Sequence, residues 1–461
     1  SRCGLLSWVR PMRDLGPGPE QAHEARELYR LLTTAKDVFS PDLSGQIARV
    51  AASYRELPGT AAIQSTVPDL ARYLLDNMTN THEPGSNSRH LMSRRVTDPL
   101  GIVQPSFTDG SGSGPYDSRG AEEVLAVFDK CNGQPLYAVG RDLMYDTLSF
   151  AKLCDGSPLA AVTLKAVKVL KLDSLISPDL WDTLARFLTT VESKYKAVPY
   201  HNATHAADVT ARTAALLYHS RVWEEHMDEG EQVQMLACVL AAAVHDVGHP
   251  GSSNGFQVAN MTPYAIKWNN QKVLENHSVH LAFTLLKREE LNFTADWSMS
   301  NFQQLRKHMI SLVLATDFAD HFDYITKLKT KVDSSDVTSW GSHEPAEQLL
   351  ILQVLLKVAD LGHCAAPLQA HKQWVERLQA EYFAQGDLER RNDVTISALC
   401  DRSKAGVNSS VSQLGFYDVV VLPLFSAWVE RFPGAAPLAE QAHINRRYWQ
   451  DNSSGSEPQV I

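Results

Sequence analysis

The chain has 461 residues, of which 44% are hydrophobic and 21% are charged, so it is long enough for one large folded domain and further sequence beside it. The formal net charge is -10 and the Lys and Arg residues are scattered along the chain, which argues against a nucleic-acid partner. Six widely spaced cysteines without a CxxC pair favour a reducing, cytoplasmic compartment.

Residues 1–120 form an N-terminal region to which the sequence assigns no function. The region contains helical patches at 23–34 and 45–57 but no motif that carries chemistry. From residue 81 onward the composition turns to Ser, Gly, Pro, Asn and Asp, which is typical of a flexible linker. We therefore place a domain boundary at residue 120 and expect a second domain over 121–450, with a flexible tail at 451–461. Because the first residue is Ser1 and not Met, the sequence leaves open whether it is a piece of a longer chain with an upstream membrane anchor.

After residue 121 the apolar residues recur every three or four positions, which is the period of an amphipathic helix. Short breaks that contain Pro, Gly or Asn separate these runs, so the sequence predicts an all-α fold, a compact multi-helix bundle. Its longest apolar run has about half of the ~20 residues that a membrane-spanning helix needs, so no membrane segment is expected within the sequence. The clearest helical runs are Trp181–Tyr195, Gln232–Val244, Val273–Lys287, Phe302–Leu314, Ala346–Val358 and Leu368–Phe383.

Five residues with strong metal-ligand side chains lie at or near the predicted helix ends: His201, His205, His245, Asp246 and Asp360. Imidazole and carboxylate together suit Zn²⁺ and similar ions, and carboxylate with water suits Mg²⁺ or Mn²⁺ at a second site. The sequence therefore indicates a binuclear metal site. A carboxylate such as that of Asp246 has two oxygens and can bridge two metals.

Each of these residues also has an ordinary structural interpretation. A single histidine on an apolar helix is more often a hydrogen-bonded core residue than a ligand. Context favours the metal here, because Asp246 and Asp360 each end a mostly apolar run, where an unpaired charge is costly. Other histidines lack such company and are expected on the surface or in packing: His219, His280, His308 and His371.

The residues belong to a series of motifs that resembles the catalytic domain of the class I 3′,5′-cyclic nucleotide phosphodiesterases, a branch of the HD-type metal phosphohydrolases. The resemblance covers roughly 140–449 and leaves 1–120 outside. The motifs occur in the family's order: Tyr200-His-Asn-Ala-Thr-His-Ala-Ala-Asp-Val209, His245-Asp-Val-Gly-His-Pro-Gly-Ser-Ser-Asn254, Val273-Leu-Glu-Asn-His277, Leu314-Ala-Thr-Asp317, Ala359-Asp-Leu361, Gln385-Gly-Asp387 and Ser412-Gln-Leu-Gly-Phe416.

The resemblance implies two divalent metal ions with distinct ligands. It assigns the tighter ion, usually zinc, to His205, His245, Asp246 and Asp360. Asp246 is also implied to reach a second ion, usually magnesium, whose shell is mostly water. The residues implied to hydrogen-bond that water are His249, Glu275 and Thr316.

The implied reaction hydrolyses cyclic AMP, cyclic GMP or both to nucleoside 5′-monophosphates in cyclic nucleotide signalling. Two cations roughly 3.5–4 Å apart can acidify a water to hydroxide and neutralise the phosphoryl oxygens. The 3′ oxygen leaves as an alkoxide and needs a proton. His201 lies one helical turn before His205, and the resemblance assigns it as that general acid.

The resemblance also implies a purine pocket. Gln413 matches the family's purine-binding glutamine, and Phe416 with Leu378 matches the apolar clamp on the ring. Tyr382 stands on the implied pocket wall, and Tyr200 is a further lining residue. Because a glutamine amide can rotate, the sequence does not decide between cyclic AMP and cyclic GMP.

Some positions depart from the family pattern without touching a metal ligand. Trp268-Asn-Asn270 replaces Tyr-Asn-Asp, Phe318 replaces a common Met, and Cys364 replaces a usual Pro. His363 lies where the residue varies with nucleotide preference. Two further hypotheses stay open: an HD-type phosphohydrolase for another phosphoester, and a nucleotide sensor or scaffold that has lost catalysis. Regulation, its partner and the oligomeric state are not determined by the sequence.

Overall fold

The computed structural model describes Tyr73 and residues 119–130, 139–154, 158–331 and 340–453. The helical patches predicted at 23–34 and 45–57 lie outside these residues, as do the linker at 81–118 and most of the predicted tail, 454–461. Within them, helix begins at Ala121 and the last helix ends at Asp451. The domain boundary at residue 120 therefore stays a prediction.

The described residues form helices and no strands, which confirms the predicted all-α fold. A π-helical turn, Tyr417–Val421, joins the fifteenth helix to the sixteenth, and short 3₁₀ turns lie between several others. In chain order the α-helices are α1 (Ala121–Leu125), α2 (Val127–Lys130), α3 (Thr147–Leu153), α4 (Pro158–Val169), α5 (Pro178–Lys194), α6 (Ala203–His219), α7 (Glu229–Val244), α8 (Asn254–Ala259), α9 (Pro263–Lys267), α10 (Val273–Leu286), α11 (Met299–Ala315), α12 (His321–Lys331), α13 (Pro345–Asp360), α14 (Leu368–Arg391), α15 (Ser410–Phe416), α16 (Leu422–Arg431) and α17 (Ala436–Asp451).

All six helices predicted from periodicity are present, and their ends differ for local reasons. Helix α7 begins three residues before the predicted Gln232, because the Asp228 side chain accepts a hydrogen bond from the Glu231 backbone N–H and the Glu231 side chain accepts one from the Asp228 backbone N–H. Helix α14 continues two turns past the predicted end at Phe383. Its charged last turns lack the apolar period that the prediction used.

Helix α7 lies at the centre of the bundle. Every residue from Met235 to Val244 is fully buried, and the helix packs against α4, α6 and α11. Helix α6 in turn packs against α4, α7 and α13. Because α7 ends at Val244, its next two residues, His245 and Asp246, are delivered into the interior of the protein.

A second apolar stretch, Ser410–Arg431, is continuous through α15, the π-helical turn and α16. It is long and apolar enough to cross a membrane by length and composition, but 67% of its most apolar window is buried inside the bundle. This burial is typical of a core helix in a folded domain. The four cysteines in the described ranges, Cys154, Cys238, Cys364 and Cys400, are buried and form no disulfide with one another.

Candidate metal centre and adjoining pocket

Four of the predicted ligand residues meet where three helices end or begin. His205 lies in the first turn of α6, whose N-terminus is capped by the Asn202 side chain. His245 and Asp246 follow α7, and Asp360 is the last residue of α13. Nε2 of His205 lies 3.1 Å from Oδ1 of Asp360 and 3.6 Å from Oδ2 of Asp246. Nε2 of His245 lies 3.0 Å from Oδ2 of Asp246 and 3.4 Å from Oδ1 of Asp360.

The His245 ring is held in one orientation. Its Nδ1–H donates to the carbonyl of Ala242 at 2.9 Å, so in the neutral ring Nε2 carries a lone pair. The residue is 1% exposed, and within the described residues its Nε2 makes no hydrogen bond beyond the carboxylate contacts given above. A buried lone pair that faces two carboxylates is repulsive unless a proton or a cation lies between them.

The charges at the cluster have large electrostatic effects. Burial by itself lowers the pKa of His245, but the carboxylates of Asp246 and Asp360 outweigh burial and hold the pKa well above its usual range. Burial opposes ionisation of both acids, yet the neighbouring histidines hold their pKa values below the usual range. Two nitrogens and two carboxylates in this contact fit a divalent cation, because it satisfies all four donors at once.

A second group of side chains lies beside the first. Glu381, which is 3% exposed, accepts hydrogen bonds from the backbone N–H of Tyr200 at 2.9 Å and of His201 at 3.1 Å. Its other oxygen contacts Nδ1 of the His201 ring. Burial by itself lowers the pKa of His201, but Glu381 and Asp246 outweigh burial and raise the pKa to about 9. His201 is therefore a cation at neutral pH, while a quarter of its side chain stays exposed.

The ring of His249 lies against that of His201, but the two residues differ in protonation at neutral pH. The two rings are 4.1 Å apart between centroids. Burial and the His201 cation lower the pKa of His249 to about 3, so His249 is neutral. Its Nδ1 accepts from the backbone N–H of Gly251 at 3.1 Å, which leaves the proton on Nε2 as a donor.

Glu381 does not stand out in the sequence as a functional residue. The residue lies on α14, about 180 positions after His201, among many other acids and bases of an ordinary charged helix. Nothing in its spacing separates it from exposed acids such as Glu376. Only the packing of α14 against the segment before α6 reveals its contact with His201.

The other two residues expected near metal-bound water, Glu275 and Thr316, belong to α10 and the end of α11. Both carboxylate oxygens of Glu275 accept from the side-chain amide of Asn254, at 3.1 and 3.0 Å. Burial and the nearby Asp317 raise the pKa of Glu275 to about 8. The Thr316 hydroxyl donates to the carbonyl of Val313 at 2.8 Å, so its oxygen keeps lone pairs to accept with. In the described residues neither side chain hydrogen-bonds to the four-residue cluster.

The residues expected to line a purine pocket lie mainly on α14 and α15. Leu378, Tyr382 and Phe416 pack against one apolar cluster, which contains Val407. The Phe318 ring lies nearly parallel to that of Phe416, 6.4 Å away between centroids.

Gln413, on the same short helix as Phe416, is fixed by one hydrogen bond. Its side-chain amide donates from Nε2 to the carbonyl of Val407 at 2.8 Å. Its Oε1 is buried without a protein partner. Tyr73 is the only described residue before residue 119. Its hydroxyl lies 2.8 Å from that of Tyr382, which is expected on the pocket wall.

Tyr200 occupies a different place from the other expected pocket residues. It is 5% exposed, and its ring packs among Leu148, Trp374 and the ring of His205. His363 lies edge-on to Tyr200, 5.7 Å away between ring centroids.

His363 also meets His371 and Cys364 in a group with metal-ligand side chains. Both ring nitrogens of His371 are already bonded, one to the carbonyl of His363 and one to the indole N–H of Trp449. His371 is therefore a packing residue. The sequence predicted it either on the surface or in packing.

Comparison with known proteins agrees with this geometry. Residues 200–442, more than half of the chain, match the profile of the 3'5'-cyclic nucleotide phosphodiesterase family. The 3',5'-cyclic-AMP phosphodiesterase 4C of Rattus norvegicus is 36% identical over 321 residues, which are 68% of this chain and 59% of the relative. The probable 3',5'-cyclic-AMP phosphodiesterase pde-4 of Caenorhabditis elegans is 34% identical over 274 residues, 58% of this chain and 40% of the relative.

A solved structure shows the same architecture. The phosphodiesterase domain of the RhoPDE fusion protein from the choanoflagellate Salpingoeca rosetta superposes with a TM-score of 0.60 at 27% identity, over 70% of this chain and 97% of that domain. This chain belongs to the 3',5'-cyclic nucleotide phosphodiesterase family, whose members use divalent metal ions. It spans about three fifths of the length of the rat relative.

Removal of divalent cations should make the thermal stability of the protein depend strongly on pH. The folded-state pKa of His245 lies above its ordinary value of 6.5, so proton binding stabilises the cation-free protein fully below that value. This contribution is lost as the pH rises through the folded-state pKa. A bound cation replaces the proton, so we expect the Tm of chelated protein to fall more steeply than that of Zn²⁺-loaded protein. Calorimetry from about pH 6 to about pH 9 measures both slopes, and coincident slopes would contradict a cation site at His245.

Proposed function

We propose that this protein hydrolyses 3′,5′-cyclic nucleotides to nucleoside 5′-monophosphates, with cyclic AMP as the preferred substrate. The observation that carries the proposal is the contact between two groups of side chains. One group has four donors that fit a cation, and the other holds a protonated His201 beside a buried Glu381. Together they supply a cation site and an acid, the two requirements of phosphodiester cleavage.

In this proposal His205, His245, Asp246 and Asp360 hold the tighter ion, zinc, and Asp246 also reaches a second ion, magnesium or manganese. Two divalent cations, when bound, acidify a water and neutralise charge on the phosphoryl group. The chain's own residues would orient the water around the second ion when it is bound. Nε2–H of neutral His249 donates, and the oxygens of Glu275 and Thr316 accept.

His201 supplies the proton for the leaving group. Its ring is a cation at neutral pH and keeps an exposed edge. Glu381 holds the ring through Nδ1, so Nε2–H is the proton available to the 3′ oxygen. Because the buried carboxylate remains beside the ring after the transfer, it favours uptake of a new proton before the next turnover.

Cyclic AMP is preferred in this proposal because the Gln413 amide is oriented by the protein. The carbonyl of Val407 can only accept, so the NH₂ end of the amide faces Val407 and Oε1 is left as an acceptor. The exocyclic amine of adenine can donate to Oε1, whereas the O6 atom of guanine is itself an acceptor. The rat and nematode relatives are named as cyclic-AMP phosphodiesterases, which supports the same choice.

We also propose a cytoplasmic location; a regulatory partner of the N-terminal region is not identified.

The proposed division of roles predicts different metal contents in two variants. Asp360→Ala should lose most of the zinc, because it removes one of four donors and leaves Asp246 as the one carboxylate of the cluster in contact with His205 and His245. His201→Ala should keep its zinc but lose at least about a hundredfold in kcat, since general acids contribute ~10²–10⁴-fold. Atomic absorption and a steady-state assay measure the two effects. Equal zinc loss in both variants would show that His201 is a ligand and not the acid.

The charge of His201 predicts a pH profile. The acid is active while protonated, so the rate should fall at alkaline pH as the pH rises through the pKa of His201, which Glu381 raises. Glu381→Gln removes the carboxylate that raises this pKa, so the fall should occur at lower pH. Glu376→Gln, which changes an exposed acid of the same helix, is the control and should keep the wild-type profile. An unchanged alkaline limb in Glu381→Gln would contradict the role of Glu381.

The orientation of Gln413 predicts the substrate. Purified protein with Mg²⁺ should hydrolyse cyclic AMP with a kcat/KM at least about tenfold above that for cyclic GMP, equivalent to ~1.4 kcal/mol. Gln413→Ala should remove most of this difference, and Gln373→Ala, at an exposed amide of α14, should preserve it. A panel of other phosphoesters tests the wider phosphohydrolase hypothesis. Binding of cyclic nucleotide without turnover would favour a sensor instead.

A further inference from the structure

Lys357 is a buried lysine that the proposed chemistry does not use. It lies on α13, three residues before Asp360, and is 3% exposed. Its Nζ donates to three successive carbonyl oxygens at the end of α11: Ala315 at 2.9 Å, Asp317 at 3.1 Å and Thr316 at 3.4 Å. In the described part of the chain the ammonium has no carboxylate ion-pair partner.

This arrangement satisfies the hydrogen-bonding needs of both the carbonyl groups at the end of α11 and the buried ammonium group of Lys357. The last carbonyls of a helix have no partner within the helix, and the C-terminus of a helix carries partial negative charge. A buried ammonium is costly unless its hydrogens are bonded, and burial lowers the pKa of Lys357 to about 8 against the opposing effect of the Asp360 and Asp317 carboxylates. The three bonds therefore hold one backbone turn, Thr316–Phe318, against α13.

The Thr316–Phe318 turn connects two parts of the proposed site. Thr316 presents the oxygen proposed to accept from water on the second ion, because its hydrogen is used by Val313. Two residues further on, the Phe318 ring lies parallel to Phe416 of the purine clamp. A shift of this backbone would move both side chains together.

The outer side of the same turn has a weaker restraint. Nζ of Lys272 lies 2.5 Å from Oδ2 of Asp320 and 3.6 Å from Oδ2 of Asp317. Its side chain is 29% exposed, so solvent screens this pair. The buried backbone contacts of Lys357 are thus the main constraint on the turn.

We infer that Lys357 is a positioning residue that couples the affinity for the second metal ion to the affinity for the nucleotide. It acts by fixing the backbone that carries Thr316 and Phe318, so that the two side chains keep their positions relative to each other. The inference rests on the proposed function, because it assigns Thr316 to the second ion and Phe318 to the nucleotide pocket.

The test compares Lys357→Met with Lys327→Met. Methionine keeps an unbranched side chain of similar length and removes the three donors. Lys327 is a matched control, since its Nζ and that of Lys357 both lie 5.6 Å from the centre of the Tyr324 ring. Lys327 is 42% exposed and pairs with Asp323, away from the turn. Mn²⁺ binding to zinc-loaded protein, followed by electron paramagnetic resonance, reports on the second site without turnover.

We expect Lys357→Met to keep its zinc but bind Mn²⁺ about tenfold more weakly, with a several-fold higher KM for cyclic AMP. Lys327→Met should match the wild type in all three measurements. Unchanged Mn²⁺ affinity in Lys357→Met, with only a lower Tm, would show that Lys357 is merely structural and overturn the inference. Absence of a Mn²⁺ site beyond zinc in the wild type would overturn it as well.

If Lys357→Met does not fold, Lys357→Gln provides the test, because its shorter amide retains donors but cannot reach all three carbonyls. For Lys357→Gln we expect Mn²⁺ binding that is weaker than in the wild type, but by less than about tenfold, and a KM for cyclic AMP above that of the wild type. Wild-type values of both quantities would overturn the inference. Wild-type protein that binds Mn²⁺ but hydrolyses no cyclic nucleotide would refute the proposed function alone. The Mn²⁺ comparison would still decide whether Lys357 positions the turn.

Discussion

The structure depends on one electrostatic constraint, the close approach of two partly buried carboxylates to two buried imidazole nitrogens at the end of α7. Asp246 and Asp360 come from helices more than a hundred residues apart, and both contact His245 and His205. Like charges at this separation in a poorly hydrated interior repel strongly. A cation would compensate them, and the buried apolar stretch Met235–Val244 of α7 leads to His245 and Asp246 at this position.

The same burial gives neighbouring histidines opposite roles. His201 and His249 have rings in contact, yet one is cationic and the other neutral. The difference arises because Glu381 faces His201, whereas burial and the His201 cation both disfavour a proton on His249. Sites that separate the pKa values of adjacent groups in this way can assign one group to proton donation and another to orienting water.

Binding and chemistry are joined through backbone contacts more than through ion pairs. Lys357 ties the end of α11 to the helix that delivers Asp360, and the Val407 carbonyl orients Gln413. Neither contact involves the residues that stand out as metal ligands. Both act on side chains that would face the substrate in the proposed site, so the proposed selectivity depends on contacts with backbone carbonyls.

The sequence by itself determined the helical class and six main helices, because apolar spacing reflects local burial along one helix. It also determined the cluster of ligand-type residues, since acids that end apolar runs such as Ala241–Val244 need a partner. Only the tertiary structure decided how Glu381 pairs with His201, how Val407 orients Gln413 and how Lys357 reaches α11. These contacts join distant segments or depend on loop geometry, and residue spacing along the chain carries no signal for either.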